Sequence, residues 1–389
     1  MTANEKRRFW ILVSIVSISG FSQGMLLPLI SVIFEMDGVS SALNGLNATG
    51  LYIGTILITP FMEIPLRKFG YKPVILIGGA IVISSLLVFP LWKSVLFWYI
   101  LRLLIGIGDH ALHFSTQTWI TSFSSKERLG RNIALYGLSF GLGFAIGPLF
   151  VPLVNVFEGL PFIVSGLLCL LAWTFVFFLD NEHPGHMHES STMKGTMQRF
   201  KASFLIAGFA FLPPFSYGFL ESSLHAIFPV YALRAGIDVT SVSIILASFS
   251  VGGIVSQLPL GILSDRIGRK AIILVALFGG AASFSGAAFL EASLTAVISF
   301  FFIAGLFVGS TFSLGISYMT DLTPRNLLPT GNLLCGVFFS IGSLTGPFFG
   351  GVFLEWSGGI SYMWLVSSLL LLIGLISLLG KTKPASETY

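Results

Sequence analysis

The chain is a succession of long apolar runs separated by short polar connectors. A stretch such as VILIGGAIVISSLLVF, residues 74–89, lacks both the strict alternation of a half-buried strand and the polar face of a surface helix. Runs of about 20 apolar residues match a hydrocarbon core of roughly 30 Å when wound as α-helix at about 1.5 Å per residue. Twelve such runs occur, at residues 9–33, 43–66, 73–92, 95–121, 132–155, 160–179, 203–232, 240–263, 271–290, 296–319, 331–354 and 360–380. The pattern predicts an all-α membrane protein of twelve transmembrane helices. A transmembrane barrel would instead show segments of about ten residues with alternating polarity. The first run is too long for a cleavable leader and carries no small-residue cleavage pattern, so it reads as the first span.

Composition narrows the class further. Of 389 residues, 54% are hydrophobic and only 10% charged, against roughly a quarter charged in soluble domains. Net charge is +4, but the distribution of the basic residues argues against a nucleic-acid partner. With the N-terminus cytoplasmic, the basic clusters at 6–8, 67–72, 126–131, 194–201, 266–270, 325 and 381–383 all fall on one side of the bilayer. Lys93 and Arg234 fall on the other, and Arg102 lies within a run. This asymmetry is the positive-inside pattern of a multi-pass protein of the cell membrane with both termini cytoplasmic. Cys169 and Cys335 lie in separate runs, which gives neither a disulfide framework nor a cysteine metal site.

The chain also repeats itself. A polar segment, DNEHPGHMHESSTMKGTMQRFK, residues 180–201, separates six runs from six. The expected organisation is an N-terminal half at 1–180, a cytoplasmic linker at 181–201 and a C-terminal half at 202–389. The linker histidines His183, His186 and His188 are read as part of a solvated loop, with no metal site expected. A shift of 199 residues lays Gly106 on Gly305, Trp119 on Tyr318, Gly143 on Gly342, Gly147 on Gly346 and Pro148 on Pro347. A shift of 198 lays Gly70 on Gly268 and Lys72 on Lys270. Duplicated six-span halves are the organisation of secondary transporters, with the substrate site near the midplane.

Between spans eight and nine stands GILSDRIGRK, in which Gly268 permits a tight turn and Asp265 lies beside Arg266 and Arg269 at helix ends. With Gly261 and Lys270, this loop resembles the signature loop of the major facilitator superfamily. The first-half counterpart, EIPLRKFGYK, keeps Lys68, Gly70 and Lys72 but has Glu63 for the first glycine and Arg67 for the aspartate. LRLLIGIGDH, with Arg102, Gly106 and Gly108, resembles the family's fourth-span motif. GFAIGP (Gly143, Gly147, Pro148) and GSLTGPFFGG (Gly342, Gly346, Pro347) resemble the Gly-Pro element of its antiporters. Small residues let helices approach closely and proline bends them, which suits an interface that rocks. The resemblance implies the major facilitator fold, alternating access, and a central cavity lined by spans one, four, seven and ten.

Ionisable groups within a bilayer cost about 2.5–3.5 kcal/mol each on insertion scales, so they mark candidate sites. In span four, Arg102, Gly106, Asp109, His113, Thr116 and Gln117 fall within about 60° of a common line at 100° per residue, with His110 just outside it. This predicts a single polar stripe, with Asp109 roughly 10 Å deeper than Arg102 and within reach of His113. The second half carries Val308, Gly309 and Phe312 where the first has Asp109, His110 and His113, so the stripe is not part of the duplicated scaffold. In span seven, Tyr217, Glu221 and His225 recur at intervals of four and share a face. The resemblance places Asp109 and Glu221 on cavity walls, and several proton-coupled exporters of the superfamily carry an acid in span seven. Gln23 in span one either binds substrate or bonds a neighbouring helix.

These features predict a monomeric secondary transporter in which Asp109 and Glu221 take up protons and Arg102 adjusts their affinity. A small amphipathic or cationic solute would leave in exchange. The same residues also suit a proton symporter, or an exporter of a polar metabolite or metallophore. A different class, a lipid-handling protein or a non-transporting sensor on the same scaffold, is also open. No nucleophile–base arrangement or phosphate-cradling loop appears, so neither enzymatic activity nor a cofactor is expected. The expected partners are a small molecule, protons and the bilayer.

Overall fold

The structure, a computed structural model, describes residues 3–184 and 193–380. Every regular element among them is helical. His186 and His188, and the basic residues at 381–383, lie outside the described residues. In chain order the helices that bear on function are α1 (Ala3–Met36), α2 (Ser41–Ile58), α3 (Tyr71–Val88), α4 (Val95–Phe123), α5 (Lys126–Ile146) and α6 (Leu160–Thr174). They are followed by α7 (Leu212–Ala226), α8 (Val239–Ile267), α9 (Arg269–Phe289), α10 (Leu294–Leu322), α11 (Leu328–Trp356) and α12 (Tyr362–Leu378).

Ten helical stretches among the described residues are long and apolar enough to span a bilayer. Ser41–Phe61 joins them if its 58° bend into Glu63–Phe69 is counted as one span. The cause of the bend is local: Pro60 opens a 3-10 turn at Thr59–Phe61, where it can give no backbone N–H to the helix. The last apolar helix, Tyr362–Leu378, has 17 residues, slightly short of the length that spans unaided.

The chain divides into two compact units, residues 1–188 with 238–243, and residues 189–237 with 244–389. In the first, α5 seats on α1 at Gly143, where an added Cβ would overlap the carbonyl oxygen of Ser17. In the second, α11 seats on α7 at Gly342, where a Cβ would overlap the carbonyl of Phe215. Gly106 meets Leu51 of α2 and Gly305 meets Phe249 of α8 in the same way. The Gly-Pro elements thus set a close helix pair inside each unit, as expected of a helix-packing motif. Past this shared point the units diverge. Pro148 and Pro152 convert Gly147–Asn155 to 3-10 helix, whereas α11 continues through Pro347 to Trp356.

The loops carrying Gly70 and Gly268 are duplicated as well. Both glycines have positive φ, +85° and +109°, which residues with a side chain rarely adopt. Each loop lysine caps carbonyls at the end of its unit's sixth helix. Lys72 Nζ donates to Phe177 O at 2.9 Å and Leu179 O at 2.6 Å. Lys270 Nζ donates to Leu378 O at 2.7 Å and Gly380 O at 2.6 Å. In the second unit Arg269 pairs with Asp265 and lies 3.5 Å from Asp321. In the first, Arg67 pairs with Glu63 one turn earlier on its own helix. The acid that ties neighbouring elements there is Glu182, which accepts from Arg8 at 2.5 Å and from Trp119 Nε1 at 2.9 Å.

Candidate functional site

Asp109 sits on α4 facing α1, and its carboxylate is buried. Ser19 Oγ donates to Oδ1 and Gln23 Nε2 donates to Oδ2, both from one face of α1. His113, one turn along α4, places Nε2 at 3.0 Å from Ser19 Oγ and 3.7 Å from the carboxylate. Its other ring nitrogen, Nδ1, lies 2.7 Å from the hydroxyl of Tyr136 on α5. Three helices therefore converge on one acid, and the close seating of α5 on α1 brings Tyr136 within range.

Donor counting orders this chain. Ser19 has one O–H and gives it to Asp109, so its oxygen accepts from His113 Nε2–H. A neutral imidazole protonated at Nε2 accepts at Nδ1, which assigns the Tyr136 O–H as donor to His113. The polarity runs Tyr136 → His113 → Ser19 → Asp109 while the acid is ionised. A protonated carboxyl at this position would itself be a donor. The chain can then run the other way, with His113 in its other tautomer. Hydrogen bonds to a charged group contribute about 1.5–3 kcal/mol each, enough to hold this geometry in a low-dielectric setting.

Arg102, His110 and Gln117 do not join the chain, so residues that share this face of α4 reach different surroundings. Arg102 is fully buried, and its three guanidinium nitrogens have no hydrogen-bond partner among the described residues. It lies two turns from Asp109, about 10 Å along the axis, and makes no contact with it. His110 turns toward α2, with Nε2 at 3.1 Å from Thr59 Oγ1 and its ring stacked on Phe114. Gln117 is exposed, and Thr116 returns its hydroxyl to the backbone at Leu112. A stripe about 60° to either side of its axis is wide enough to address several neighbouring helices, and here those helices draw its members apart.

In the second unit Glu221 is partly buried on α7, with Tyr217 Oη donating to Oε1 at 3.3 Å. His225 Nδ1–H donates to the backbone carbonyl of Glu221 at 2.8 Å. Within the expected triplet, the bond made to the carboxylate itself is thus the long one from Tyr217. Glu221 also follows Gly218 by three residues just as Gln23 follows Gly20, so it takes the place on α7 that Gln23 holds on α1.

Ser19 and Tyr136 were missed by sequence reasoning. Ser19 precedes Gln23 by one turn, and Tyr136 lies two turns before Gly143 on α5, so each shared a face with a residue already singled out. Among the described residues no group of three or more His, Cys, Asp or Glu side chains is placed to hold a metal ion.

Comparison with known proteins adds a family context. The profile of the Major Facilitator Superfamily matches residues 12–220 and again 214–388. An uncharacterized MFS-type transporter, YfkF, of Bacillus subtilis (strain 168) is 55% identical over 383 residues, covering 98% of each chain. Multidrug resistance protein 2 of the same organism is 22% identical, covering 95% of this chain and 94% of that protein. Among solved structures, a bacterial homolog of the human lysosomal transporter Spinster superposes with a TM-score of 0.80 at 15% identity, over 97% of each chain. The nucleoside transporter NupG gives 0.77 at 13% identity, over 95% of this chain and 98% of that one. At these identities the structural likenesses concern the fold alone.

Proposed function

This chain belongs to the major facilitator superfamily, and we propose that it is a proton-coupled exporter of small amphipathic or cationic solutes. It is a multi-pass membrane transporter; the coupling, direction and solute class are the reading offered here. The observation that carries the reading is the buried Asp109 carboxylate at the end of the Tyr136–His113–Ser19 chain. A buried acid whose partners can reverse their donor order can gain and lose a proton without leaving an unsatisfied group, which a static packing contact does not require.

Glu221 has a different part. With one long hydrogen bond and partial exposure, it keeps lone pairs free for a cationic solute or a proton, and the two compete for it. Exchange follows when solute binding displaces protons toward the cytoplasm. Arg102 acts on Asp109 only through its field. The 22% identity to a multidrug resistance protein supports trying drug-like solutes first, and the carboxylate of Glu221 favours the cationic ones among them. The proposed setting is the cell membrane, with both termini cytoplasmic.

The test uses everted membrane vesicles from cells overproducing the protein, energised to an acid interior, with ethidium and tetraphenylphosphonium as probes. Wild-type vesicles should accumulate a probe in proportion to the gradient, and Asp109→Asn vesicles should not. Accumulation that ignores the gradient in wild type and variant alike would remove the proton role. Accumulation driven by the opposite gradient would identify symport.

A further inference from the structure

The second unit holds a separate cavity at the end opposite the Gly268 turn, and neither Asp109 nor Glu221 is in its lining. It has a volume of about 250 Å³, and Phe228, Val297 and Met363 are buried in its wall. This is just below the roughly 300 Å³ at which drug-sized pockets begin, so it suits a small ligand. At its rim stands Glu291, in the turn after α9. Tyr231 Oη donates to Glu291 Oε2 at 2.5 Å and lies 3.1 Å from Ser361 Oγ. A phenol has one proton to give, so Ser361 donates to Tyr231 and Tyr231 donates to Glu291. Ser361 is the N-cap residue of α12, yet its side chain makes no capping bond. The hydroxyl that would ordinarily cap the helix is in position to fix Tyr231 instead. The carboxylate is thus held over aromatic and thioether groups, and among the described residues it has no cationic partner.

We propose that this cavity binds a small alkylammonium cation, its charge against Glu291 and its alkyl groups against Phe228, Tyr231 and Met363. The chemistry follows from the wall: an anion with one protein donor attracts a cation, and aromatic faces favour cations that are weakly hydrated. Among the described residues an inorganic cation would find one carboxylate and the hydroxyls of Tyr231 and Ser361, short of the roughly six oxygens such ions take. The ammonium can belong to a free solute or to the amine headgroup of a lipid. The site does not depend on Asp109 or Glu221.

The test measures radiolabelled tetraethylammonium binding to the full-length protein in a sugar detergent that carries no amine. It is made in an Asp109→Asn/Glu221→Gln background, so that the proposed coupling acids contribute nothing. Binding should persist in that background and weaken by up to about fivefold in Glu291→Gln, the upper range for an exposed ion pair. Ala235→Phe, at the cavity wall, should weaken it similarly while leaving the carboxylate intact, and it stands in if Glu291→Gln is not monodisperse. Repeating the measurement in nanodiscs with and without phosphatidylethanolamine separates the sources. Loss of probe only with that lipid assigns the site to a headgroup, and indifference to it assigns the site to free cations. Equal binding by the background protein and both cavity variants, or none by any of them, would overturn the proposal.

Discussion

Asp109 and Glu221 are both carboxylates on bilayer-spanning helices of duplicated units, yet their surroundings differ in kind. Asp109 is buried and receives donors from Ser19 and Gln23, with His113 and Tyr136 behind them. Glu221 is partly exposed and, among the described residues, receives a side-chain donor from Tyr217 at 3.3 Å. The scaffold around them is repeated: Gly143 and Gly342 seat equivalent helix pairs, and Lys72 and Lys270 cap equivalent helix ends. Duplication therefore preserved what packs, while the polar groups diverged. An acid with several donors suits a proton held and released through a fixed chain, and an acid with one suits a ligand that comes and goes.

The sharpest way to break this comparison is to neutralise each acid. Asp109→Asn should lower gradient-driven probe accumulation roughly tenfold to a hundredfold, the equivalent of the 1.5–3 kcal/mol typical of a hydrogen bond to a charged group. Glu221→Gln should instead raise the probe concentration needed for half-maximal uptake while some response to the gradient survives. If the two variants behaved identically, the division of roles would fail. The scaffold should show the opposite symmetry. Gly143→Val and Gly342→Val each force a side chain against backbone and should destabilise the protein by similar amounts, about 1–3 kcal/mol, read by thermal loss of the monodisperse peak. A large difference between them would show that the packing is not equivalent.

How much of this was readable beforehand depends on whether a feature is local. The 199-residue register follows from laying the sequence on itself, and the apolar runs and the Asp109–His113 spacing lie within single segments, where helical geometry alone carries them. The assignment of Ser19 and Tyr136 to Asp109 does not, because it depends on how α1 and α5 cross α4. Serine and tyrosine are also ordinary residues in such helices. Arg102 shows the reverse error. It shares a helix face with Asp109 by angle, but a two-turn axial separation leaves its guanidinium beyond contact. The bend after Ile58 is latent in Pro60, but hydropathy alone does not distinguish a bent apolar run from a straight one.

Smaller changes refine the account. Tyr136→Phe removes the terminal donor to His113 and should slow transport several-fold, about 1 kcal/mol, without changing which probes are carried. Transport rates and half-saturation concentrations measured together would separate this from a binding defect. The smallest effect belongs to Lys93, whose ammonium bonds Asp37 at 2.7 Å and Glu158 at 2.9 Å and so ties three loops at one end of the first unit. Burial works against its charge, but the bonds to Asp37 and Glu158 outweigh that and hold it above the ordinary lysine range. The clasp is therefore fully present below that range and lost only as pH rises through the elevated value. Because all three groups are substantially exposed, Lys93→Met should change stability by about 1 kcal/mol or less at neutral pH.

The central claim is that Asp109 itself takes up and releases a proton through its hydrogen-bonded chain. Infrared difference spectroscopy across a pH titration reads this directly from the carbonyl stretch of a protonated carboxylic acid, and it requires no knowledge of the solute. In a Glu221→Gln background the account predicts a titrating band that disappears when Asp109→Asn is added and shifts in midpoint with Tyr136→Phe. A band of unchanged amplitude and midpoint in the Asp109→Asn protein would contradict it.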